Sequence, residues 1–431
     1  MKDILHRSDE LTRRAFMTKT ASTFLGVGLM PGVTGGSAFA KAAATAARKR
    51  PTARNVIYLY MSGGMTHLDT FDPKPGAVTQ GPVEAIRTKA DDVMISEYLP
   101  GLASQMDKVA LVRSMTTTQG AHAQGNYFMH SSYVMRGTIR HPGIGAWLQK
   151  LDGRPNRTLP GSVRIGGGDA GGAGFMGPKF GPLVLNNPTD GLRNSKRPDG
   201  LSESDFEDRL MLANQFDKKF HETYSHGTVK AQREMYDDAV RLMRSEDLKA
   251  FDLSLESEAT RENYGNNSFG QGVLLARRLI ENDVRFVEVS LGGWDTHSNN
   301  FTSVSQRASV LDQALSTLLA DLTRRGMLDE TLVVVATEFG RTPRINENNG
   351  RDHFPKAFSC MLAGGGIKGG QAYGVTDETG ENVVENKVQV PDFNATIAHS
   401  LGLPLDKVVL SPSKRPFTVA HKGRPILDLF A

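Results

Sequence analysis

The stretch at residues 333–355, VVVATEFGRTPRINENNGRDHFP, decides how the rest of the chain is interpreted. It begins inside an apolar run, residues 332–336, that is rich in β-branched residues and too short for a helix. Such a run is typical of a strand buried on both faces of a parallel sheet. Ligands of open α/β sheets bind just beyond the carboxyl ends of the strands. We therefore expect Glu338, at the end of this run, to be a metal ligand or a catalytic carboxylate.

A second polar pair, Asp352 and His353, follows Glu338 within fifteen residues. A glutamate at a strand end also caps helices or pairs with an arginine such as Arg341, so a structural role stays open for it. An adjacent carboxylate and imidazole after the same strand are less easily explained in that way. The combination favours a site that binds a ligand or a metal ion.

Three further apolar runs, at residues 55–61, 109–114 and 284–291, predict strands of the same sheet. Each run leads into a glycine turn or a hydroxyl cluster that also carries histidine or aspartate. Carboxylates and neutral imidazoles are good zinc ligands, and ligands from separate strands meet only at one edge of a sheet. The side chains expected at that edge are His67, Asp69, Thr116, His122, Asp295, His297, Glu338, Asp352 and His353.

The threonine run at residues 116–118 allows two interpretations. Hydroxyls at a strand end can include a nucleophile that a metal or a base activates. They also cap the backbone amides at the start of a helix. The sequence alone leaves both roles open for Thr116 and for His122, which follows it.

Composition excludes several classes of protein. The chain has 431 residues and a net charge of +4, with no basic run of the length that binds nucleic acid. Its single cysteine, Cys360, excludes an intramolecular disulfide and a Cys-ligated zinc finger. The chain is long enough for one large α/β domain. An amphipathic helix at residues 310–328, between two predicted strands, agrees with that class.

Residues 1–40 are interpreted as a targeting signal. They contain Arg13 and Arg14, then a weakly apolar segment at 21–33, then Ala38-Phe39-Ala40 as a cleavage site. The apolar segment is too short to span a bilayer, so no transmembrane span is expected. An amphipathic helix with a chance arginine pair is the alternative. The signal predicts export by the twin-arginine route to the periplasm or the exterior.

The expected domain organisation follows from these boundaries. Residues 41–53 form a basic, alanine-rich linker, and residues 54–431 form the α/β domain. Within it, residues 153–204 are rich in Gly, Pro and Asn and are interpreted as an insertion over the sheet. Together with the charged helical segment that follows, they make residues 153–270 an insertion or a helical lid. The tail from Pro416 is expected to add an edge strand.

The order of these pieces resembles the alkaline phosphatase and sulfatase superfamily, and more closely its exported family DUF1501. TLVVVATEFGRTP is similar to the superfamily strand that ends in Ser-Asp-His-Gly, and LAGGGIKGGQAYG resembles its Gly-Pro-Gly-Ile-Lys segment. GGWDTH stands where the superfamily carries an Asp and a His for one zinc ion, and GRDHFP where it carries a later His ligand. MTTTQGAH resembles the nucleophile segment of nucleotide pyrophosphatases.

The resemblance implies a fold and an activity. The fold is an alkaline-phosphatase-like three-layer α/β sandwich with a largely parallel central sheet and helices on both faces. One or two divalent ions, with zinc expected, would serve hydrolysis of a phosphate or sulfate ester on a small molecule or a polysaccharide. Thr116 would be the nucleophile, with His122 on the following helix, and Arg341 or Arg344 would clamp the anion.

Two departures from the superfamily pattern keep a second function open. The first strand ends in Met61-Ser62-Gly63-Gly64, with no acidic residue before Asp69, and Phe339 stands where a histidine ligand is usual. A scaffold that has lost its chemistry would act as an exported binding or assembly protein, for example for a cell-envelope polysaccharide. Retained Asp295, His297, Glu338 and His353 favour the hydrolase.

Overall fold

The computed structural model describes residues 51–168, 171–193, 195, 200–223 and 227–431, with backbone only for 218–223 and 227–232. The targeting signal at residues 1–40 and most of the linker lie outside the described residues. Export by the twin-arginine route therefore stays a prediction. No helix among the described residues is long and apolar enough to cross a membrane.

A mixed but mostly parallel sheet forms the centre of the described chain. The apolar runs form strands because their β-branched side chains pack well on a pleated surface that is buried on both sides. Within the described residues this central sheet has nine strands: β1 Asn55–Met61, β2 Val109–Thr116, β3 Ser162–Ile165, β4 Leu183–Leu185, β5 Phe286–Leu291, β6 Thr331–Ala336, β7 Phe358–Ala363, β8 Gln371–Tyr373 and β9 Val388–Gln389.

The strand order across the sheet is β8-β2-β7-β6-β1-β5-β3-β4, and β9 also pairs with β2. Strand β1 lies at the centre, parallel to β5 on one side and to β6 on the other. Strand β7 alone among these strands runs antiparallel to its neighbours, β2 and β6. The three runs predicted to begin near residues 55, 284 and 331 are therefore adjacent strands of one sheet, as expected.

Helices cover both faces of the sheet. They are α1 Pro100–Ala103, α2 His122–Ser131, α3 Ile144–Asp152, α4 Glu203–Thr223, α5 Gly227–Met243, α6 Glu258–Tyr264, α7 Ser268–Glu281, α8 Asn300–Arg324 and α9 Val390–Ser400. Alternate side chains of β1 separate two cores: Ile57 and Leu59 pack with α7 and α8, and Val56 and Tyr58 pack with α2, α3 and α9. The prediction of a three-layer α/β sandwich is confirmed.

Two segments differ from their sequence interpretation. Residues 153–204 do not lie only over the sheet, because β3 and β4 extend it by parallel pairing next to β5. The strands β3 and β4 belong to the central sheet because of this long-range pairing. The local glycine and proline content does not indicate it. The tail from Pro416 does not join the central sheet. Pro416–Phe417 instead pairs with Val409–Leu410 in a separate two-stranded sheet.

Three short two-stranded sheets complete the strands of the described residues. They are Ala85–Arg87 with Met94–Ser96, Val375–Thr376 with Val383–Glu385, and Gly340–Arg341 with His353–Phe354. The last pair matters for the site, because it closes the loop after β6 and places His353 directly opposite Arg341. The loops after β1, β2, β5 and β6 thereby meet at the carboxyl edge of the sheet.

Candidate metal centre

Asp295, in the loop after β5, lies at the centre of a cluster of imidazoles at this edge. Its Oδ2 is 3.3 Å from Nε2 of His122, the first residue of α2. Its Oδ1 is 3.2 Å from Nε2 of His297 and 3.4 Å from Nε2 of His353. Three segments of the chain, those after β2, β5 and β6, thus contribute to one group of side chains, here called the histidine cluster (His122, Asp295, His297 and His353).

Each imidazole is held through its other nitrogen. Nδ1 of His122 lies 2.7 Å from Oε1 of Glu338, and Nδ1 of His297 lies 2.6 Å from Oδ1 of Asp352. Nδ1 of His353 lies 2.8 Å from the carbonyl oxygen of Gly120. Because carboxylates and carbonyl groups only accept hydrogen bonds, Nδ1 carries the proton in all three rings. In the neutral rings, the Nε2 lone pairs point toward Asp295.

The Nε2 atoms of His122 and His353 are buried and have no hydrogen-bond partner among the described residues. Such orphaned atoms are uncommon and call for an explanation such as an ion. Ligand atoms at 2.0–2.1 Å from a tetrahedral zinc ion are about 3.3–3.4 Å from one another. The distances from the two Asp295 oxygens to the three Nε2 atoms, Oδ2 for His122 and Oδ1 for His297 and His353, are close to that spacing. Within the described chain, His122, Asp295 and His353 also form a group whose ligand atoms all lie within 4.8 Å of one another.

The charges around the cluster are unbalanced when the imidazoles are neutral. Three carboxylates, Asp295, Glu338 and Asp352, face the guanidinium of Arg341, which leaves a formal charge of −2. Although burial raises the pKa of Asp295, the hydrogen bond and charge of Arg341 bring it down to about 2. The hydrogen bond to Glu338 raises the pKa of His122. A divalent cation would neutralise the excess charge that these groups carry.

Glu338 is fully buried and holds the cluster from behind. Its Oε1 accepts a hydrogen bond from the Gly63 amide at 2.9 Å, and its Oε2 lies 3.2 Å from the hydroxyls of Tyr60 and Thr337. Burial and the Glu338 charge raise the pKa of Tyr60, which therefore stays a donor. A buried carboxylate with this many donors is pre-oriented. Glu338 fixes the ring of His122, and Asp352 does the same for His297.

Two glycines allow the loops to approach this closely. Gly63 has a φ of +123°, and a Cβ there would lie 2.5 Å from the backbone nitrogen of Asp295. A Cβ on Gly350 would lie 2.0 Å from the carbonyl oxygen of His297. Both contacts are closer than a side chain permits. The glycine turn after β1 and the glycine before Arg351 are thus requirements of the site's geometry.

The structure does not bring His67 and Asp69 to the cluster. Asp69 is buried and makes a two-point pair with Arg351, at 2.8 and 3.0 Å. It also accepts hydrogen bonds from Thr66 and Asn300. His67 is buried, which lowers its pKa, and its Nε2 lies 2.8 Å from the Gly380 carbonyl oxygen. The first strand's loop therefore contributes structure at this edge.

Thr116 lies in a different place from that expected for a nucleophile of this cluster. Its hydroxyl donates to the carbonyl oxygen of Val388 at 3.2 Å, across the pairing of β2 with β9. It lines a separate cavity of about 370 Å³ together with Thr117 and Lys356. The register of the last residue of β2, which a single sequence does not show, decides this position.

Arg341 is fully buried, and most of its donors are committed. Its Nε donates to the Gly64 carbonyl at 3.0 Å and its Nη1 to the Arg351 carbonyl at 3.1 Å. Its Nη2 contacts both the Gly63 carbonyl and the Asp295 carboxylate. A guanidinium has five N–H donors, so little is left to clamp an anion. The structure gives Arg341 the role of orienting Asp295.

Three residues of the surroundings were not singled out from the sequence: Gly120, Tyr60 and Asn126. Gly120 acts through its backbone carbonyl, for which its residue type gives no signal. The hydroxyl of Tyr60 contacts Glu338 and the side chain of Asn126 on α2. A tyrosine in a buried strand usually finds a hydrogen-bond partner, and that expectation was the available signal.

The cluster is open to solvent on one side. The side chains of Asp295 and His297 are each 48% exposed, and those of His122 and His353 are 32% and 27% exposed. Structural zinc sites are closed by four protein ligands, whereas catalytic sites keep a position for water or substrate. Nitrogen and carboxylate ligands with partial exposure fit the catalytic kind.

Comparison with solved structures found several similar proteins. The PsFucS1 sulfatase from Pseudoalteromonas sp. shares 13% identity over 84% of this chain and 70% of that chain, with a TM-score of 0.37. The lipoteichoic acid synthase LtaP from Listeria monocytogenes shares 9% over 82% and 73%, with a TM-score of 0.38. A protein in the alkaline phosphatase superfamily from Vibrio parahaemolyticus shares 10% over 89% and 72%, with a TM-score of 0.39. Similarity at these TM-scores assigns no activity to the chain.

No curated protein matches the chain. A family profile does match, over residues 53–430, which is nearly all of the α/β domain. The family is described as "Protein of unknown function (DUF1501)". The match agrees with the resemblance noted in the sequence. The chain belongs to the DUF1501 family.

Proposed function

We propose that this protein is a metal-dependent hydrolase of phosphate or sulfate esters, whose ion is held by His122, Asp295 and His353. One observation carries the proposal. Imidazoles with their Nδ1 protons already engaged direct Nε2 lone pairs at one carboxylate, with separations that suit ligands of a tetrahedral zinc ion. His297, 3.2 Å from the same carboxylate, is the candidate fourth ligand or a neighbour of the open position.

The residues present fit a divalent ion. Without an ion, lone pairs and negative charge face one another at the centre of the cluster. Protonation of all three imidazoles is the other way to relieve this. It would place three cations beside Arg341 and leave the orphaned Nε2 atoms in poor geometry for hydrogen bonds to Asp295. A divalent ion offsets the charge of −2 and supplies the missing partner for both atoms.

The residues around the expected ion have separate roles in this proposal. A bound divalent ion would polarise the ester oxygen and lower the pKa of an attacking water molecule. Glu338 and Asp352 keep the imidazoles of His122 and His297 in the tautomer that presents Nε2. Arg341 keeps Asp295 ionised. His297 is half exposed and backed by a carboxylate, so it is the imidazole placed to receive or return a proton at the rim.

We assign the attacking group to water. The hydroxyl of Thr116 is engaged by Val388 and faces the separate cavity, and these two observations support a nucleophile other than Thr116. A phosphate or sulfate ester suits the site because its oxygens are hard donors for a divalent ion. The ester belongs to a small molecule or a polysaccharide.

We also propose that the protein acts outside the cytoplasm. Arg13, Arg14 and the Ala38-Phe39-Ala40 site support export by the twin-arginine route. The double variant Arg13→Lys and Arg14→Lys is expected to leave unprocessed precursor in the cytoplasm, measured by fractionation and immunoblotting. Normal processing of that variant would remove the proposal of this route.

A second candidate function is that of a binding or assembly protein on the same scaffold. Two observations favour it: Arg341 has few donors left for an anion, and Thr116 lies apart from the cluster. In that case the ion would organise a binding surface without turnover. The two candidates make the same prediction for metal content and opposite predictions for hydrolysis.

Hydrolysis of 4-nitrophenyl phosphate and 4-nitrophenyl sulfate separates them. The zinc-loaded protein is expected to hydrolyse one of the two, and Asp295→Asn is expected to abolish that activity while the protein stays folded. Asp329→Asn, an exposed carboxylate elsewhere on the chain, is the matched control. If the zinc-loaded protein hydrolyses neither ester, or if Asp295→Asn keeps full activity, the proposal of a hydrolase is wrong.

A further inference from the structure

A second cavity, of about 490 Å³, adjoins the histidine cluster on one side of helix α2. We call it the α2 cavity. Its size falls within the range of ligand sites in proteins, about 300–1,000 Å³. Strands β1 and β5 form its floor, and α2 forms a wall. The polar or aromatic side chains that line it are Tyr60, Ser62, Asn126, Tyr127, His130, Arg140, Glu288 and Ser290.

The floor of the α2 cavity breaks the pattern of the sheet. Strands β1 and β5 are parallel neighbours, with Tyr58 opposite Glu288 and Tyr60 opposite Ser290. The alternate residues on the other face of β5, such as Val287, are apolar and belong to the core. A buried sheet face covered by a helix is expected to be apolar, because burying polar groups is costly. Polar residues here indicate a binding surface.

Glu288 is a charged side chain that is only 5% exposed and lines the cavity. Its Oε1 lies 3.3 Å from Nε2 of His130 and 3.7 Å from Nε of Arg164. Arg164 balances the charge of the carboxylate, so the floor carries no excess negative charge. Arg140 lies at the exposed rim, with its guanidinium over the ring of Tyr127 at 5.9 Å.

His130 leaves a polar atom available at this floor. Its Nδ1 donates to the Asn126 carbonyl at 2.8 Å, and its Nε2 is buried with no hydrogen-bond partner among the described residues. Ser290 is partly buried, and no hydrogen bond of its hydroxyl is found within the part of the chain described. A ligand hydroxyl both donates and accepts, so it can satisfy an imidazole nitrogen, a carboxylate oxygen and a serine hydroxyl alike.

The wall of the cavity adds an apolar component. The ring of Tyr127 and the side chain of Met135 line it, and the Tyr127 hydroxyl is itself engaged by His141 at 2.6 Å. Polar groups on the floor and an aromatic wall suit a ring that has hydroxyls at its edge and an apolar face. An apolar ligand would leave Nε2 of His130 and the hydroxyl of Ser290 without hydrogen-bond partners.

The α2 cavity and the histidine cluster are joined by a short chain of contacts. The hydroxyl of Tyr60 touches Asn126 in the cavity wall and lies 3.2 Å from Oε2 of Glu338. Glu338 in turn holds His122 of the cluster. Ser62, Ala123 and Gly292 line the cavity and lie within three residues of members of the cluster's surroundings. The cavity lining and the cluster thus share neighbouring residues of the same loops.

We propose that the α2 cavity binds a neutral, hydroxyl-rich group, such as a sugar ring, and that this group carries the ester presented to the histidine cluster. The binding of the ring stands on the cavity alone, whereas its identity as part of a substrate rests on the proposed function. Glu288, His130 and Ser290 determine specificity for hydroxyls, and Tyr127 supplies the face on which the ring lies.

Equilibrium binding to the full-length protein tests the proposal without any need for hydrolysis. The probes are methyl β-glucoside and myo-inositol as neutral polyols, cyclohexanol as an apolar ring, and glucuronate as an anion, each followed by ligand-observed NMR. At least one neutral polyol is expected to bind. Ser290→Ala is expected to weaken it by about twofold to tenfold, the worth of one hydrogen bond. Ser290→Leu, which removes the hydroxyl and projects a larger apolar side chain from the floor, is expected to abolish binding.

Thr117→Leu, which makes a comparable change in the separate cavity near Thr116, is the matched control and is expected to bind the polyols normally. Failure of both polyols to bind, equal binding by Ser290→Leu, or preference for cyclohexanol or glucuronate would overturn the proposal. Binding of a polyol by a protein that does not hydrolyse the aryl esters would count against the proposed function alone. Hydrolysis of aryl esters without polyol binding would count against the α2 cavity alone.

Discussion

Replacing Glu338 with glutamine tests how the site is held together. The carboxylate does not touch the expected ion. It accepts the Nδ1 proton of His122 at 2.7 Å and the Gly63 amide proton at 2.9 Å through the same oxygen. Glutamine has the same shape and keeps one oxygen, which can still accept both protons. The substitution therefore removes the charge of a residue that contacts a ligand of the ion and not the ion itself. It leaves the packing in place.

The expected loss follows from the nature of that hydrogen bond. A bond to a carboxylate is charge-assisted and roughly twice as strong as a neutral one. Groups that hold a metal-binding histidine from behind typically contribute about 10- to 100-fold to metal affinity. Glu338→Gln should accordingly weaken zinc binding by about 10- to 100-fold, or about 1.4–2.8 kcal/mol. Tyr60 and Thr337 limit the rearrangement, because their hydroxyls can turn to accept from the new amide.

Competition with a chromophoric chelator measures the zinc affinity of both proteins, and circular dichroism checks that each is folded. Asp312→Asn is the matched control, since Asp312 is a buried carboxylate that accepts the Gly101 and Leu102 amides far from the cluster. Its zinc affinity should equal that of the parent protein. Unchanged affinity in Glu338→Gln, or an equal loss in both variants, would refute the role given to Glu338.

Three further predictions concern other parts of the described chain. Asp69→Ala should lower the free energy of unfolding by about 3–5 kcal/mol, because it leaves Arg351 buried without its partner, and denaturant titration measures that loss. The same variant should keep its zinc, as measured by elemental analysis. Thr116→Ala should leave hydrolysis unchanged in a steady-state assay, since its hydroxyl serves Val388, and a large loss of activity would restore it as the nucleophile. Burial lowers the pKa of His141 to about 4 from an ordinary value near 6.5. The contribution of this neutral histidine to the free energy of unfolding should therefore be complete above pH 6.5 and fall by up to about 3 kcal/mol toward pH 4. Unfolding measured across that range should show a shallower fall in His141→Gln.

The fold was largely predictable because its strands are strongly apolar. The runs at residues 55–61, 109–114, 284–291 and 332–336 correspond to β1, β2, β5 and β6. The short strands β3 and β4 were not recognised as part of the sheet, since their glycine- and proline-rich surroundings give no strand signal. The reversed direction of β7 was not predicted either, because strand direction depends on connections and not on local pattern.

The site was partly predictable for a related reason. Residues that directly follow a strand in sequence stay near its end, so the convergence of Asp295, His297 and Glu338 followed from the strands. His353 comes later in the chain, and its pairing opposite Arg341 brings it back to the same edge. His67 and Asp69 also follow a strand, but long-range partners decide where their side chains lie. Arg351, the partner of Asp69, is 282 residues away along the chain. One sequence does not reveal such a pair.

One residue of the α2 cavity has a recognisable signal in the sequence. Glu288 interrupts a mostly apolar run, VRFVEVSL, at residues 284–291. A charged residue at a position expected to be buried indicates either an ion pair or a site. The structure places it at the floor of a cavity, which combines the two. Its neighbours His130 and Arg164 come from separate elements and had no sequence signal linking them to it.

Metal content after exhaustive dialysis is the most direct test of the central claim, which is a divalent ion held by His122, Asp295 and His353. Elemental analysis of the parent protein, loaded with zinc and dialysed, should find about one ion per chain, and His353→Ala should lose most of it while remaining folded. A parent protein that retains no zinc, or a His353→Ala protein that retains as much as the parent, would contradict the account.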